Sequence, residues 1–277
     1  MTIVEQDTDT DAIYWNAQAI QRRLHYSELE NNPFATAFTY GRHKLHFLLE
    51  GALRPLGKTA NILDIGCGTG HQLRICRGLC LNVTGLEPSP DLRTAAQELN
   101  PDISIVDGSV TRMPFDNQQF DFAYAIEVLR YLRPVDRYSA YAEVLRILKP
   151  GGTFFFTMAN RFALDGFALY SKMQFLGCHL RGRAAPPQTD FTTPAAVRAE
   201  FAALGVRDVT FMGCVLGPLR IAYRAVPTLA PKLASWLEPL DDALFRRRWA
   251  ISMAGHLVVA ATRPVESTQI NKQAACG

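Results

Sequence analysis

Three glycines within five residues, Gly66, Gly68 and Gly70 in the run ANILDIGCGTGHQL (60–73), follow an apolar stretch that carries Asp64. Glycine lets a backbone turn tightly and puts no Cβ between chain and ligand, so such a turn can carry a nucleotide-like molecule. Two phosphate-binding patterns compete for it and neither fits. The dinucleotide fingerprint G-x-G-x-x-G puts its third glycine at position 71, which is His71, and a P-loop needs Lys-Ser/Thr where His71-Gln72 stand. A tight strand-to-helix turn also needs glycine with no ligand at all. Acids further along shift the balance. Glu87 stands 21 positions after Gly66 at the end of a second apolar run, where a carboxylate can accept both hydroxyl protons of a ribose. Asp107, followed by Gly108-Ser109, suits the polar edge of a purine, and Asp121 opens a fourth run. With Asp64, these make four acids expected in order along one edge of one sheet.

The elements that must position them alternate. NILDI reads as a buried strand, HQLRICRGL as a helix and NVTGLE as a second strand. SPDLRTAAQELN opens with a Ser-Pro-Asp helix start, ISIVDG and FDFAYAI are a third and fourth strand, and VDRYSAYAEVLRIL is a helix stopped by Lys149-Pro150-Gly151-Gly152. TFFFTM is the fifth strand, and VRDVTFMG and HLVVAAT are two late ones. Strands and helices at this spacing predict an α/β, Rossmann-like, seven-stranded and mostly parallel sheet with helices on both faces and right-handed crossovers. With NILDI as the first, central strand, the glycine turn sits at the switch point where such sheets bind ligands. The expected organisation is a flexible N-terminus (1–13), a helical cap (14–57), the α/β domain (58–264) and a flexible tail (265–277). An insertion at about 160–190 follows the fifth strand, a Leu-, Ala-, Pro- and Arg-rich helical segment covers 215–250, and these are expected to form the acceptor side.

The bulk properties exclude several classes. The charge balance, 29 Lys+Arg against 26 Asp+Glu for a net +3, gives no pull toward nucleic acid. Arg246-Arg247-Arg248 is the one dense basic run, read as a solvated helix face or as a contact for an acidic substrate or membrane surface. The six cysteines (67, 76, 80, 178, 214, 276) form no CxxC and no metal-like pairing with histidine. No secretory signal pattern opens the chain and no apolar run reaches the ~20 residues needed to span a bilayer, so a cytoplasmic protein is expected. The stretch 216–249 also has the composition to rest on a membrane surface without inserting, which would bring a lipid-like acceptor within reach.

At LDIGCGTG (63–70), GLEPSPDL (85–92), VDGSVTRMPFDNQQFD (106–121), AIEVLRYL (125–132) and LKPGG (148–152), the chain resembles the class I S-adenosylmethionine-dependent methyltransferases, within them the type 11 small-molecule group. The resemblance covers about 60–160 and implies S-adenosylmethionine as cofactor and S-adenosylhomocysteine as product. It implies that Gly66, Cys67, Gly68 and Gly70 pass beside the methionyl arm, with Asp64 near its ammonium. Glu87, followed by Pro88, would take the ribose, and Asp107, Gly108 and Ser109 the adenine. Ile126 and Glu127 would line the sulfonium and acceptor side, and Arg42 would meet the cofactor carboxylate. Some quinone O-methyltransferases of the group carry Glu-x-x-Glu-His after the fourth strand. Here Arg130 and Tyr131 replace the second acid and the histidine, so no metal site is expected, one carboxylate being a poor cage for Mg²⁺.

A hydroxyl or ammonium acceptor must lose a proton, and a positioned side chain usually helps. The candidates are His43 and His46, three apart on one helix face, with Glu127, Tyr131 and His179. The acceptor pocket is expected to come from the aromatics of 14–45 and 160–190, among them Tyr14, Trp15, Phe34, Phe38, Tyr40, Phe162 and Phe167. These imply a small, hydrophobic or aromatic acceptor, handled by a monomer or homodimer. Three other readings stay open: a relative that uses the bound sulfonium to promote a cyclisation, a non-catalytic binding protein, and a nicotinamide oxidoreductase.

Overall fold

The computed structural model describes residues 31–265 except 80, 182–188, 216 and 218. The N-terminal segment and the tail expected to be flexible, Tyr14 and Trp15, and the first half of the expected cap lie outside the described residues, Val265 excepted. Within them, β1 (Asn61–Ile65), β2 (Asn82–Leu86), β3 (Ser104–Val106), β4 (Phe120–Ala125) and β5 (Leu148–Asn160) run parallel. β6 (Phe191–Thr192) is a two-residue strand beside the end of β5, and β8 (His256–Thr262) lies antiparallel between β5 and β7 (Val209–Cys214). The order β3-β2-β1-β4-β5-β8-β7 makes the expected seven strands, with β6 as an eighth off the main path.

The strands are apolar along their whole length because both faces are covered. Leu63, Ile65, Phe154 and Phe156 face one side, where α4 (Pro134–Ile147) and α6 (Pro194–Ala203) bring Tyr141 and Phe201 to a ring separation of 4.5 Å. Ile62, Phe122, Tyr124 and Phe155 face the other, covered by α1 (Ala37–Leu53) through Leu45, Leu49 and Leu53. Each such side chain contributes roughly 1.5–3 kcal/mol on burial. The second half of the N-terminal cap is therefore part of the core. α1 starts at a capping box in which Thr36 and Thr39 satisfy each other's backbone amides.

The remaining helices are α2 (Leu73–Gly78), α3 (Pro90–Leu99), α5 (Phe167–Leu180), α7 (Leu219–Ala225), α8 (Ala230–Leu244) and α9 (Arg248–Met253). α3 begins at Ser89, whose hydroxyl accepts the Leu92 amide, and α6 begins at Thr193-Pro194, as the start signals predict. One boundary differs. Lys149-Pro150-Gly151-Gly152 ends α4 but also belongs to β5, which pairs Leu148 with Phe120, bulges, and resumes at Thr153 opposite Phe122. Gly151 makes the bulge possible with a φ of +80°.

Candidate active site

A cavity of about 370 Å³ opens where β1, β2 and β4 end, at the point where the strand order reverses. The turn after β1 forms its floor through Gly66–Thr69. Its three glycines do different work. At Gly68 (φ +57°) an added Cβ would meet nothing within 4 Å, so this glycine alone faces open space. At Gly66 (φ +68°) a Cβ would stand 2.6 Å from Val128 Cγ2, so that glycine admits the loop after β4. Gly70 (φ +80°) does not line the cavity; its missing Cβ makes room for Asn100, whose side-chain amide donates to the Gly70 carbonyl at 3.0 Å.

Glu87, at the end of β2, is 5% exposed and lines the cavity. One carboxylate oxygen accepts the Gly68 amide at 2.8 Å and the other the Ser89 amide at 3.0 Å, which ties the glycine turn to the start of α3. Pro88, Gly108 and Ser109 continue the same wall. Asp107 does not belong to it: its carboxylate is held by Arg93 at 2.9 Å and faces solvent. Asp121 corrects the sequence expectation of four acids on one edge. It opens β4, so it lies at the opposite end of the sheet, where it accepts the Asn61 amide at 2.8 Å and pairs with Lys149.

Asp64 is fully buried in β1 beneath the turn, and burial pushes its pKa up to about 8, with the nearby Glu87 adding to the shift. Cys67 lines the cavity, and burial raises its thiol well above the usual range. Arg42 of α1 reaches the cavity from the cap. Gln72, which sequence reasoning passed over, also lines it, and its buried side-chain nitrogen has no hydrogen-bond partner among the described residues.

The far end is built around Glu127, with Ile126 and Tyr131 beside it in the lining. Glu127 adopts φ +63°, an unusual conformation for a residue with a side chain. Three contacts enforce it. Its amide donates to Thr157 Oγ1 at 2.7 Å, its carboxylate pairs with the buried Arg130, and His256 Nδ1 on β8 approaches it to 3.2 Å. Burial alone would raise the Glu127 pKa, but Arg130 and then His256 hold it well below the ordinary carboxylate range. The Arg130 that replaces an acid of the Glu-x-x-Glu-His pattern is thus the counter-ion of the acid that remains. Among the described residues no group of three or more His, Cys, Asp or Glu side chains is placed to hold a metal ion.

The two α1 histidines lie outside the cavity lining. His43 pairs with Glu238 of α8 at 2.9 Å, and burial lowers the pKa of His46 to about 3, helped by the Arg42 charge. His179 sits in α5 and its side chain is not among those described. The described aromatics of the cap and insertion do not line the cavity either: Tyr40 is in the core, and Phe162 and Tyr170 face outward. His256 is not among the candidates read from the sequence, since no local pattern marks a histidine at the start of a strand as the neighbour of Glu127.

The cavity fits S-adenosylmethionine on features of its own. Gly68 leaves open space above the turn, Glu87 supplies a buried diol acceptor, and Gln72 and Arg42 supply donors for a carboxylate. Comparisons agree. Residues 63–156 match the family model described as "Methyltransferase domain". The chain is 36% identical over 120 residues to cycloartenol-C-24-methyltransferase of Arabidopsis thaliana, covering 41% of this chain and 34% of that protein. It is 32% identical over 110 residues to the malonyl-[acyl-carrier protein] O-methyltransferase of Pectobacterium atrosepticum, covering 39% of this chain and 43% of that protein. The match thus spans less than half the length of each curated relative. In fold, the chain is similar to the methyltransferase solved in complex with the Haloferax volcanii Trm112 methyltransferase activator, with a TM-score of 0.58 at 21% identity over 90% of this chain and 97% of that one.

Proposed function

From the premise that residues 63–156 are a class I S-adenosylmethionine-dependent methyltransferase domain, we propose that the chain transfers a methyl group to O, N or C of a small, hydrophobic or aromatic acceptor. The observation that carries this reading is one cavity with two differently built ends: the diol acceptor Glu87 beside the open Gly68 cradle, and the ionised Glu127 opposite. When bound, the cofactor supplies an electrophilic methyl group whose displacement needs no prior activation. The protein's own residues hold and align.

Glu87 accepts the ribose hydroxyls, Gly68 lets the chain pass close by, and Arg42 and Gln72 meet the amino-acid carboxylate. Gly108 and Ser109 border the adenine. Glu127 stays ionised through Arg130 and His256, and a carboxylate with so low a pKa is a weak base. Its role is to accept a hydrogen bond from the acceptor's O–H or N–H and aim the lone pair at the methyl carbon, since alignment at near-attack distance supplies much of the rate. The unit that does this is 58–264 together with α1, with the head of α5 beside the Glu127 end through Phe167 and Arg130.

The test uses cofactor carrying an isotopically labelled methyl group, incubated with the protein and a fractionated hydrophobic metabolite extract. Label recovered in an organic-soluble product, together with S-adenosylhomocysteine, is the expected result. Product formed without label incorporation, the cofactor being recovered intact, would overturn methyl transfer in favour of a reaction that only uses the bound sulfonium.

A further inference from the structure

Two helices turn apolar side chains to the outside at helical spacing. On α5, Met173, Leu176 and Leu180 recur every three to four residues and are exposed, Leu176 by 56%. On α8, Leu233, Trp236 and Leu240 do the same, Trp236 by 76%. α9 adds Trp249 and Met253, both exposed. These elements are neighbours. Ile221 of α7 packs against Gly166 at the head of α5, Arg224 of α7 stacks over the Tyr170 ring at 5.8 Å, and α7 packs on α8. The Leu164 amide, just before α5, donates to the Met253 carbonyl of α9 at 3.1 Å.

Among the described residues the exposed charge along these stripes is predominantly positive, with the Asp242 side chain, 40% exposed, as the exception. Lys172, Arg224, Lys232 and Arg246–Arg248 stand in solvent. The acids of the same segments are taken up elsewhere. Asp165 is fully buried and accepts the Phe167 amide at 2.9 Å. Asp241 is buried and accepts the Val215 amide at 3.1 Å, while Glu238 and Asp242 pair with His43 and Lys44 of α1. The α1–α8 ion-pair cluster therefore does two things: it fixes the cap to α8 and removes negative charge from the outer face.

Outward apolar and tryptophan side chains bordered by Lys and Arg are the pattern of helices that lie in the plane of a membrane surface. A soluble chain rarely leaves so many large apolar side chains bare. No helix among the described residues is long and apolar enough to cross a membrane. We propose that the face made by α5, α7, α8 and α9 docks on the surface of a bilayer rich in anionic phospholipid. Trp236 and Trp249 enter the headgroup boundary, and Arg246–Arg248 meet the anionic headgroups. The face adjoins the acceptor end of the cavity, since Arg130, the partner of Glu127, lies over the Phe167 ring of α5 at 4.6 Å. Docking does not depend on the reaction assigned to the cavity.

The experiment is co-sedimentation of the full chain with vesicles of pure phosphatidylcholine and of phosphatidylcholine mixed with phosphatidylglycerol. Tryptophan quenching by lipids brominated in the acyl chain is read alongside. Binding is expected to the mixed vesicles, with quenching, and to weaken as salt screens the headgroups. The triple change Arg246→Ser/Arg247→Ser/Arg248→Ser should weaken partitioning on the order of 100-fold, and Trp236→Glu at least about tenfold. Circular dichroism melting confirms that each variant is folded, and the arginine variant keeps the test decisive if Trp236→Glu is not. The proposal is overturned by absence of binding to the mixed vesicles, by binding that both folded variants retain, or by a concentration-dependent dimer that Trp236→Glu dissociates and that does not bind vesicles.

Discussion

Replacing Glu87 by Gln separates a ligand-binding role from a bracing one. The carboxylate accepts two backbone amides, Gly68 at 2.8 Å and Ser89 at 3.0 Å, in a site 5% exposed. Gln has the same shape but one acceptor oxygen, so in either orientation one amide N–H faces another N–H. A hydrogen bond to a charged group contributes about 1.5–3 kcal/mol. For a domain of this size each kcal/mol moves the melting temperature by about 2–4 °C, so Glu87→Gln should melt about 3–12 °C lower. If the same oxygens also take the vicinal hydroxyls of the cofactor, S-adenosylhomocysteine affinity falls by a similar free energy, roughly 10- to 150-fold. Glu87→Ala, which removes both acceptors, should lose more. Isothermal calorimetry well below the melting transition measures the affinity, and differential scanning calorimetry measures the stability. Affinity within about threefold of the parent, alongside the expected loss of stability, would refute the reasoning and leave Glu87 as a brace of the glycine turn alone.

Two further results follow from local geometry. Gly68→Ala costs roughly 1–2 kcal/mol for the left-handed backbone and no clash, since its Cβ meets nothing within 4 Å. Gly66→Ala adds a 2.6 Å approach to Val128 Cγ2 and should melt lower still, whereas Gly68→Ala should lose more S-adenosylhomocysteine affinity per degree of melting; an equal ratio in the two variants sinks the assignment of Gly68 as the cradle. Asp64 gives a pH signature. Its pKa rises from 3.8 to about 8 in the fold, so between those values the native state keeps a proton that the unfolded state releases, and stability falls as pH rises through the window. The slope from this group approaches about 1.4 kcal/mol per pH unit. Urea unfolding from pH 5 to pH 7 should show a slope that Asp64→Asn removes, and a slope unchanged in that variant contradicts the burial argument.

The sequence by itself determined the sheet and the glycine turn at its switch point. Buried parallel strands need apolar runs and a switch-point turn needs glycine, so NILDI and Gly66–Gly70 announce themselves locally, and Glu87 is legible as an acid that closes the next strand. Tertiary structure decided what local pattern cannot carry. The three glycines look alike in sequence, yet only Gly68 faces open space, because Val128 and Asn100 arrive from loops and helices distant in the chain. Asp121 looked like Glu87, but an acid that opens a strand and one that closes a strand lie at opposite ends of a parallel sheet. Arg42 reaches the cavity, and His256 reaches Glu127 in its lining, only because α1 packs on the sheet and β8 inserts antiparallel between β5 and β7. A pocket takes residues by proximity in space, and the end around Glu127, assembled from the loop after β4, β5 and β8, is where proximity and sequence order part most completely.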